Sequence, residues 1–204
     1  MPAGGVDELL RRQREDYVGE MLYPSILGAA HELPQIIKAV SKRYGLSKSA
    51  PLILFGFSAG GAAALLSLTE SRVRPRAIVV VNSPLSIVQA VEGYERQTKG
   101  VYTWTDKARD AAARYDLEKS AERIAKLNPK LAVLMLQSEQ DAGFSVGTAQ
   151  AAATALKKAE ARYSLVADVS ARMLLGSDHY VLIGSESAAA RQAILGWITQ
   201  QAFP

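Results

Sequence analysis

The chain has 204 residues, 49% apolar and 22% charged, which is enough apolar sequence to bury one sizeable core. We therefore expect a single domain over residues 1–204. The formal net charge of +4 comes from interspersed acids and bases, and the short basic groups at 72–76 and 157–158 lack interleaved aromatic residues, so we expect no nucleic-acid partner. No apolar run is long enough to span a bilayer and the amino terminus lacks a signal-peptide pattern, so we predict a cytoplasmic protein with no membrane partner.

Cysteine is absent and histidine occurs only at His31 and His179, which limits the chemistry available to the chain. Disulfides and thiolate metal sites are excluded, and two histidines argue against a zinc site. We therefore expect neither a metal nor a cofactor.

The amino-terminal segment, residues 1–30, carries charged residues at helical spacing over 6–19 and no convincing strand. A helical pattern follows over 33–44, with Pro34 in its predicted first turn and Gly45 just past its end. His31 precedes this pattern, so we interpret it as an exposed residue at a helix start.

A G-x-S-x-G motif at 56–60 follows the apolar run 51–55 and precedes a run of small, helix-forming residues over 62–68. Strand, tight turn and helix are the context in which this motif exposes a nucleophilic serine, here Ser58. We predict that the turn leaves no space for side chains at Gly56 and Gly60. The alternative is a glycine-rich turn with a purely structural role.

The alternation of apolar and helical segments predicts an α/β fold, with a mostly parallel sheet covered by helices on both faces. Strands are predicted near 51–56, 77–82, 131–136 and 171–175. Helices are predicted near 33–44, 59–70, 106–127 with an interruption, 147–162 and 186–200. Because parallel strands present their carboxyl ends at one edge of the sheet, polar residues after these strands should converge.

Two loops at that edge supply candidates for a base and an acid. His179 follows the last predicted strand, where a catalytic base for Ser58 is usually delivered. Asp141 follows the strand at 131–136 and is our choice for the acid that orients the imidazole, with Glu139 as runner-up. Asp178 adjoins the histidine and Asp168 precedes its strand, so we expect both to be solvated.

These residues resemble the α/β-hydrolases, in particular the dienelactone-hydrolase-like and prolyl-oligopeptidase-like esterases and peptidases, over roughly Glu32 to Gln200. The resemblance rests on the motif at 56–60, on the segment 136–141 and on the segment 176–179, in the order serine, acid, histidine. Ser138 stands where the family commonly has glycine. Ser58 stands where dienelactone hydrolases proper use cysteine, which argues against that activity.

The resemblance and the residues together predict a serine hydrolase that cleaves a small-molecule carboxylic ester, amide or thioester through an acyl-enzyme on Ser58. His179 would act as the base, Asp141 as the orienting acid, and the backbone N–H of Ala59 as one oxyanion donor. Two alternatives stay open: a non-catalytic, hydrolase-like binding protein with an incomplete oxyanion hole, or an acyltransferase.

The resemblance also raises three expectations about the chain's architecture. The family usually has four strands before the nucleophile strand and a glycine-rich loop that supplies a second oxyanion donor, whereas residues 1–57 show only Gly4-Gly5, so we expect an amino-terminally truncated or minimal member. The unpaired strand at 51–56 should then associate with another copy or pair with sequence encoded upstream. The insertion at 84–129, with aromatic residues at 94, 102 and 104, would form a cap over the acyl pocket or fill the core beneath a helical excursion.

Overall fold

A computed structural model describes residues 4–47, 49–141, 143–163, 168–182 and 187–202. In chain order the elements are α1 (Gly5–Asp16), a π-helical segment (Tyr17–Leu22), α2 (Tyr23–Tyr44), β1 (Ile53–Phe57), α3 (Ala59–Glu70), β2 (Ala77–Val81), α4 (Ile87–Thr98), α5 (Asp106–Arg114), α6 (Leu117–Leu127), β3 (Ala132–Ser138), α7 (Val146–Arg162), β4 (Val169–Leu174) and α8 (Ser187–Ala202).

The four strands form one sheet in the order β1-β2-β3-β4, and every neighbouring pair is parallel. Alternate residues of the central strands enter two separate hydrophobic clusters. Ile78 and Met135 belong to the cluster shared with α2 to α7, whereas Val79 and Leu134 pack with Trp197 of α8. The predicted parallel α/β fold with helices on both faces is therefore confirmed.

Burial separates the central strands from the edge strands. Every residue of β2 and β3 is buried, as expected for the interior strands of a parallel sheet. In β1, by contrast, Phe55 is 50% exposed, although the sequence of this strand is apolar on both faces. Among the described residues β1 has a neighbour on one side only, so its other edge offers unpaired backbone groups.

The amino-terminal segment is helical, and none of the described residues before β1 forms a strand, as expected. The predicted start of the helix near 33 is wrong, because α2 begins at Tyr23 and carries Pro34 in its interior. The buried Ile26 and Ala30 join the main core, and this packing outweighs the hydrogen bond that proline removes. Gly45 ends α2 with a left-handed φ of 63°, in agreement with the prediction.

The chain between β2 and β3 folds into three helices, of which α4 was not predicted. The predicted interruption within 106–127 falls at Tyr115 and Asp116, between α5 and α6. Leu117 and Ile124 of α6 are buried in the main core. The assignment of 84–129 as a cap stays a prediction.

Aromatic rings and one buried carboxylate tie this excursion to the amino-terminal helices. Tyr17 stacks on Tyr94 with ring centroids 4.3 Å apart, and Tyr102 meets both Tyr94 and Trp104 edge to face. The buried Asp16 accepts hydrogen bonds from the Tyr102 hydroxyl, from Thr105 Oγ1 at 2.6 Å and from Gly19 N at 2.8 Å. These contacts fix the π-helical segment against the loop before α5.

Candidate active site

The turn between β1 and α3 gives Ser58 an unusual backbone conformation. Ser58 has φ 52° and ψ −128°, a region that residues with a side chain rarely adopt, and it is the residue immediately before α3. The turn is tied to the next strand because Ser58 N donates to Val81 O at 3.0 Å. The serine is consequently held at the carboxyl end of β1.

The glycines around this turn act differently from the prediction. A Cβ on Gly56 would lie 2.6 Å from the Gly60 oxygen, so glycine is required there. A Cβ on Gly60 would meet nothing within 4 Å, so the predicted steric requirement at this position is wrong. The second crowded glycine of this turn is Gly61, where a Cβ would overlap the side chain of Ser83, the second residue after β2, because α3 packs directly against it.

The structure brings the three predicted site residues together. His179 Nε2 lies 3.2 Å from Ser58 Oγ, and His179 Nδ1 lies 2.8 Å from Asp141 Oδ2. The three side chains come from loops that follow β1, β3 and β4, whose carboxyl ends share one edge of the sheet. The result is a continuous line of polar contacts from carboxylate to imidazole to hydroxyl.

Asp141 is held by hydrogen bonds on both of its carboxylate oxygens. Its side chain is 1% exposed, and Oδ1 accepts from Gly143 N at 2.7 Å. Gln137 Nε2 lies 3.3 Å from Oδ2 and also donates to Phe144 O at 3.1 Å. A buried carboxylate needs such partners, and here they also fix the direction in which Oδ2 faces the imidazole.

The other acidic candidates and His31 lie away from this line of contacts. Glu139, the runner-up, is exposed and accepts from Gly176 N at 2.9 Å, and Asp178 is exposed and accepts from Tyr180 N at 2.8 Å. Asp168 is exposed at the opposite end of β4, where it accepts from Trp197 Nε1 at 2.9 Å. His31 is exposed on α2.

Three aromatic rings surround the imidazole, and the sequence analysis did not identify them. The ring centroids of Phe57, Tyr180 and Phe144 lie 5.0, 5.4 and 5.9 Å from that of His179. The histidine side chain is 25% exposed. Phe57 lies inside the motif and Phe144 follows the acid, so their positions beside functional residues were the available signal.

Ala59 is the first residue of α3, and its N–H has no acceptor within the helix because the first turn of any helix leaves its donors unpaired. This N–H follows Ser58 directly, and Ala59 is an exposed residue. Residues 5–44 are helical, and Gly5 opens α1. Gly4-Gly5 therefore does not form a loop after a strand.

Other features of the described residues add no second site of this kind. Among them, no group of three or more His, Asp or Glu side chains could hold a metal ion. Nor does any helix in the described ranges combine the length and apolarity needed to cross a membrane. A cavity of about 410 Å³ lies behind the acid loop, between Asp141 and α4. A larger surface depression of about 1270 Å³ lies at the other end of the sheet, near Leu52 and Ala132.

Three of the solved structures that resemble this one are peptidases or a lipase. A puromycin-hydrolysing peptidase from Mycobacterium tuberculosis is 20% identical with a TM-score of 0.59, over 81% of this chain and 24% of the peptidase. The acylaminoacyl peptidase of Pyrococcus horikoshii is 13% identical with a TM-score of 0.60, over 84% and 27% of the two chains. The monoacylglycerol lipase of Paleococcus ferrophilus is 17% identical with a TM-score of 0.55, over 84% and 76%.

These similarities, together with the parallel sheet and the turn at Ser58, define an α/β-hydrolase fold. The sequence profile of the prolyl oligopeptidase family matches residues 30–203. The chain therefore belongs to the prolyl oligopeptidase family, a family of serine hydrolases. It spans about a quarter of the length of the two peptidases. No curated protein sequence matches it significantly.

Proposed function

We propose that the protein is a serine hydrolase that cleaves a small carboxylic ester, amide or thioester through an acyl-enzyme on Ser58. The observation that carries this proposal is the line of contacts from Asp141 Oδ2 through His179 to Ser58 Oγ, at 2.8 and 3.2 Å. The strained backbone of Ser58 supports it, because strain of this kind is characteristic of functional turns.

The hydrogen bonds support Nε2 of the imidazole as the base. Asp141 is an acceptor when ionised, so its contact with Nδ1 favours the tautomer of neutral His179 that carries its proton on that nitrogen. Nε2 is then unprotonated and faces the hydroxyl of Ser58. As Oγ attacks the substrate carbonyl carbon, its proton passes to Nε2, and Asp141 stabilises the imidazolium that forms.

Attack on the carbonyl gives a tetrahedral intermediate, and the reaction then proceeds through two half-reactions, acylation of Ser58 and hydrolysis of the acyl-enzyme. The bond to the leaving group breaks, the leaving group takes the proton from Nε2, and the acyl group stays on Oγ. Water attacks this acyl-enzyme and gives one proton to Nε2, and the proton returns to Oγ as the acid is released. The N–H of Ala59 would donate to the oxyanion, a contact that typically contributes about 2.7–4 kcal/mol to transition-state stabilisation.

The proposal also concerns the type of bond that the protein cleaves most readily. The similar structures include both peptidases and a lipase, so their names support ester and amide cleavage alike. We propose a small ester and not an amide as the preferred substrate, because an alcohol is a better leaving group than an amine. The cytoplasmic location and the absence of nucleic-acid and membrane partners remain predictions from sequence.

A second candidate is a non-catalytic protein that binds hydrolase substrates. The observation that favours it is the helical structure of 5–44, which offers no glycine-rich loop beside the oxyanion position. A chain with one oxyanion donor would be a slow enzyme, whereas a binding protein would show no turnover.

Turnover of three matched substrates separates these candidates. The purified protein would be assayed with a p-nitrophenyl ester, the corresponding thioester and the corresponding anilide, each with one short acyl group. We expect the wild-type protein to turn over the ester and Ser58→Ala to lose this activity. The control Ser25→Ala, at an exposed serine on α2, should retain it. Turnover that survives Ser58→Ala would contradict the mechanism.

A further inference from the structure

Asn82 is a fully buried polar residue at the carboxyl end of β2, the strand between those that deliver the serine and the acid. Its exposure is 0% and its φ of 45° lies in the left-handed region, which asparagine tolerates better than most residues. The sequence gives a polar residue here directly after five apolar ones. Neither the fold nor the proposed mechanism has so far given it a role.

The side chain of Asn82 forms hydrogen bonds with two different segments. Its Oδ1 accepts from Ser138 N at 2.8 Å, at the end of β3. Its Nδ2 lies 2.8 Å from Ser138 Oγ, 3.1 Å from Asp178 O and 2.9 Å from His179 O. Since carbonyl oxygens only accept and a backbone N–H only donates, these partners determine the orientation of the amide.

The backbone around Asn82 connects the same place to the serine turn. Asn82 N donates to Leu136 O at 2.9 Å, and the preceding carbonyl, Val81 O, accepts from Ser58 N at 3.0 Å. The serine turn, the end of the acid's strand and the histidine's own backbone are therefore all bound to two consecutive residues, Val81 and Asn82.

The buried Val181 anchors the histidine loop in the core after the histidine, and the backbone hydrogen bonds that join this loop to the acid loop lie before it. Gly176 N donates to Glu139 Oε2 at 2.9 Å, and Ser177 O accepts from Gln140 N at 2.9 Å. The contacts from Asn82 fall on the carbonyls of Asp178 and His179 themselves. A side chain moves with its own backbone, so these contacts bear directly on where the imidazole sits.

We propose that Asn82 is a positioning residue, which holds the His179 backbone against the end of β3 and thereby sets the imidazole between Ser58 and Asp141. This inference rests on the proposed function, because it concerns the alignment of the proposed base. Asn82 touches neither the reacting atoms nor the imidazole in the described contacts. Its effect is therefore expected on the rate of reaction at Ser58 and not on substrate binding.

Two substitutions test the role, and a matched control accompanies them. Asn82→Gly keeps the left-handed backbone and removes the amide. Asn82→Asp keeps the shape and the acceptor for Ser138 N, but places an oxygen against the carbonyls of Asp178 and His179. The control is Asn128→Gly, at another buried asparagine, which precedes β3 at the opposite end of the sheet and donates to Leu68 O and Ile124 O.

The measurement is the second-order rate of labelling by a fluorophosphonate, which reacts with an activated serine, together with kcat and KM on a short p-nitrophenyl ester. We expect both Asn82 variants to label about 10- to 100-fold more slowly than the wild type, since a misplacement of about 1 Å costs up to about 100-fold. The variants should lower kcat with little change in KM. Asn128→Gly should label at the wild-type rate, even if its thermal midpoint falls as far as those of the Asn82 variants.

A double-mutant cycle with His179→Ala distinguishes positioning from general damage. If Asn82 acts through the histidine, Asn82→Gly changes the residual labelling rate of His179→Ala by less than about twofold. A loss in that background as large as in the wild type would overturn the inference, as would wild-type rates in both Asn82 variants or an equal loss in Asn128→Gly. A wild-type protein that does not label at all would instead refute the proposed function, and the inference with it.

Discussion

Gly93 of α4 lies against the backbone of Gly143 in the acid loop, so closely that a Cβ on Gly93 would be 2.6 Å from the Gly143 carbonyl oxygen. Arg96, one turn further along α4, donates to the same oxygen at 2.9 Å. The N–H of Gly143 in turn donates to Asp141 Oδ1 at 2.7 Å. A helix that the sequence analysis did not identify therefore supports the loop that carries the proposed acid.

Gly93→Ala should displace the acid loop and lower activity. The added methyl group meets backbone atoms, which cannot rotate away, so the Gly143 contact with Asp141 has to change. We expect a fall in ester kcat of about 10- to 100-fold from misplacement of the acid. The control is Gly28→Ala, at a helical glycine of α2 whose Cβ would meet nothing within 4 Å, and alanine there should stabilise the helix by about 0.5–1 kcal/mol. Wild-type kcat in Gly93→Ala would show that α4 does not constrain the acid.

Asp141→Asn should impair turnover far more than Glu139→Gln. An amide at 141 no longer stabilises an imidazolium and changes the preferred tautomer of His179, and the corresponding change in a well-studied triad costs about 10⁴-fold in kcat. Glu139 contacts Gly176 N and not the imidazole, so its loss should cost little. Steady-state kinetics of both variants on one ester make the comparison. A larger loss in Glu139→Gln would mean that the acid is assigned to the wrong residue.

The positions of Ser58, Asp141 and His179 in the fold could be predicted from local sequence, whereas the residues that support them could not. The strand, turn and helix around Ser58 lie within one short stretch, and the loops with Asp141 and His179 each follow an apolar run, so all three could be predicted. Gly61 and Asn82 owe their roles to contacts with Ser83 and with the histidine loop, which are distant in sequence. No local pattern marks such residues.

The bounds of α2 also depend on contacts that local sequence does not show. Pro34 suggested a helix start, but the packing of Ile26 and Ala30 in the core carries α2 through the proline. Tertiary burial overrode a local preference, as it often does.

Glu160→Gln should stabilise the protein at high pH and not at low pH. Burial raises the pKa of Glu160 from 4.5 to about 7. Below pH 4.5 the carboxyl is protonated in both states, so its burial carries no ionisation penalty. As the pH rises to about 7 the unfolded state ionises first, and stability falls.

Thermal or urea unfolding at pH 4 and pH 8 measures this difference. We expect Glu160→Gln to gain on the order of 1 kcal/mol over the wild type at pH 8, since solvent near the side chain screens part of the effect, and nothing at pH 4. Glu118→Gln, at an exposed position on α6, should gain at neither pH. An equal gain in stability at pH 4 and pH 8 would show that the effect comes from packing and not from ionisation.

The open edge of β1 should allow two copies to associate. An edge strand presents unpaired N–H and C=O groups, and two identical edges can pair antiparallel about a twofold axis. Phe55, 50% exposed on this strand, would be covered in such a pair. Light scattering over a concentration series should show a dimer that Phe55→Lys disperses and Leu195→Lys, at an exposed position on α8, does not. A monomer at every concentration would contradict the prediction.

The most direct test of the account is the site at which a fluorophosphonate reacts. The wild-type protein would be incubated with the probe, weighed intact and digested to locate the adduct, beside Ser58→Ala and His179→Ala. We predict one adduct, on the peptide that contains Ser58, which is absent in Ser58→Ala and forms much more slowly in His179→Ala. An unlabelled wild-type protein, or a Ser58→Ala variant that labels equally, would contradict the central claim that Ser58 is an activated nucleophile.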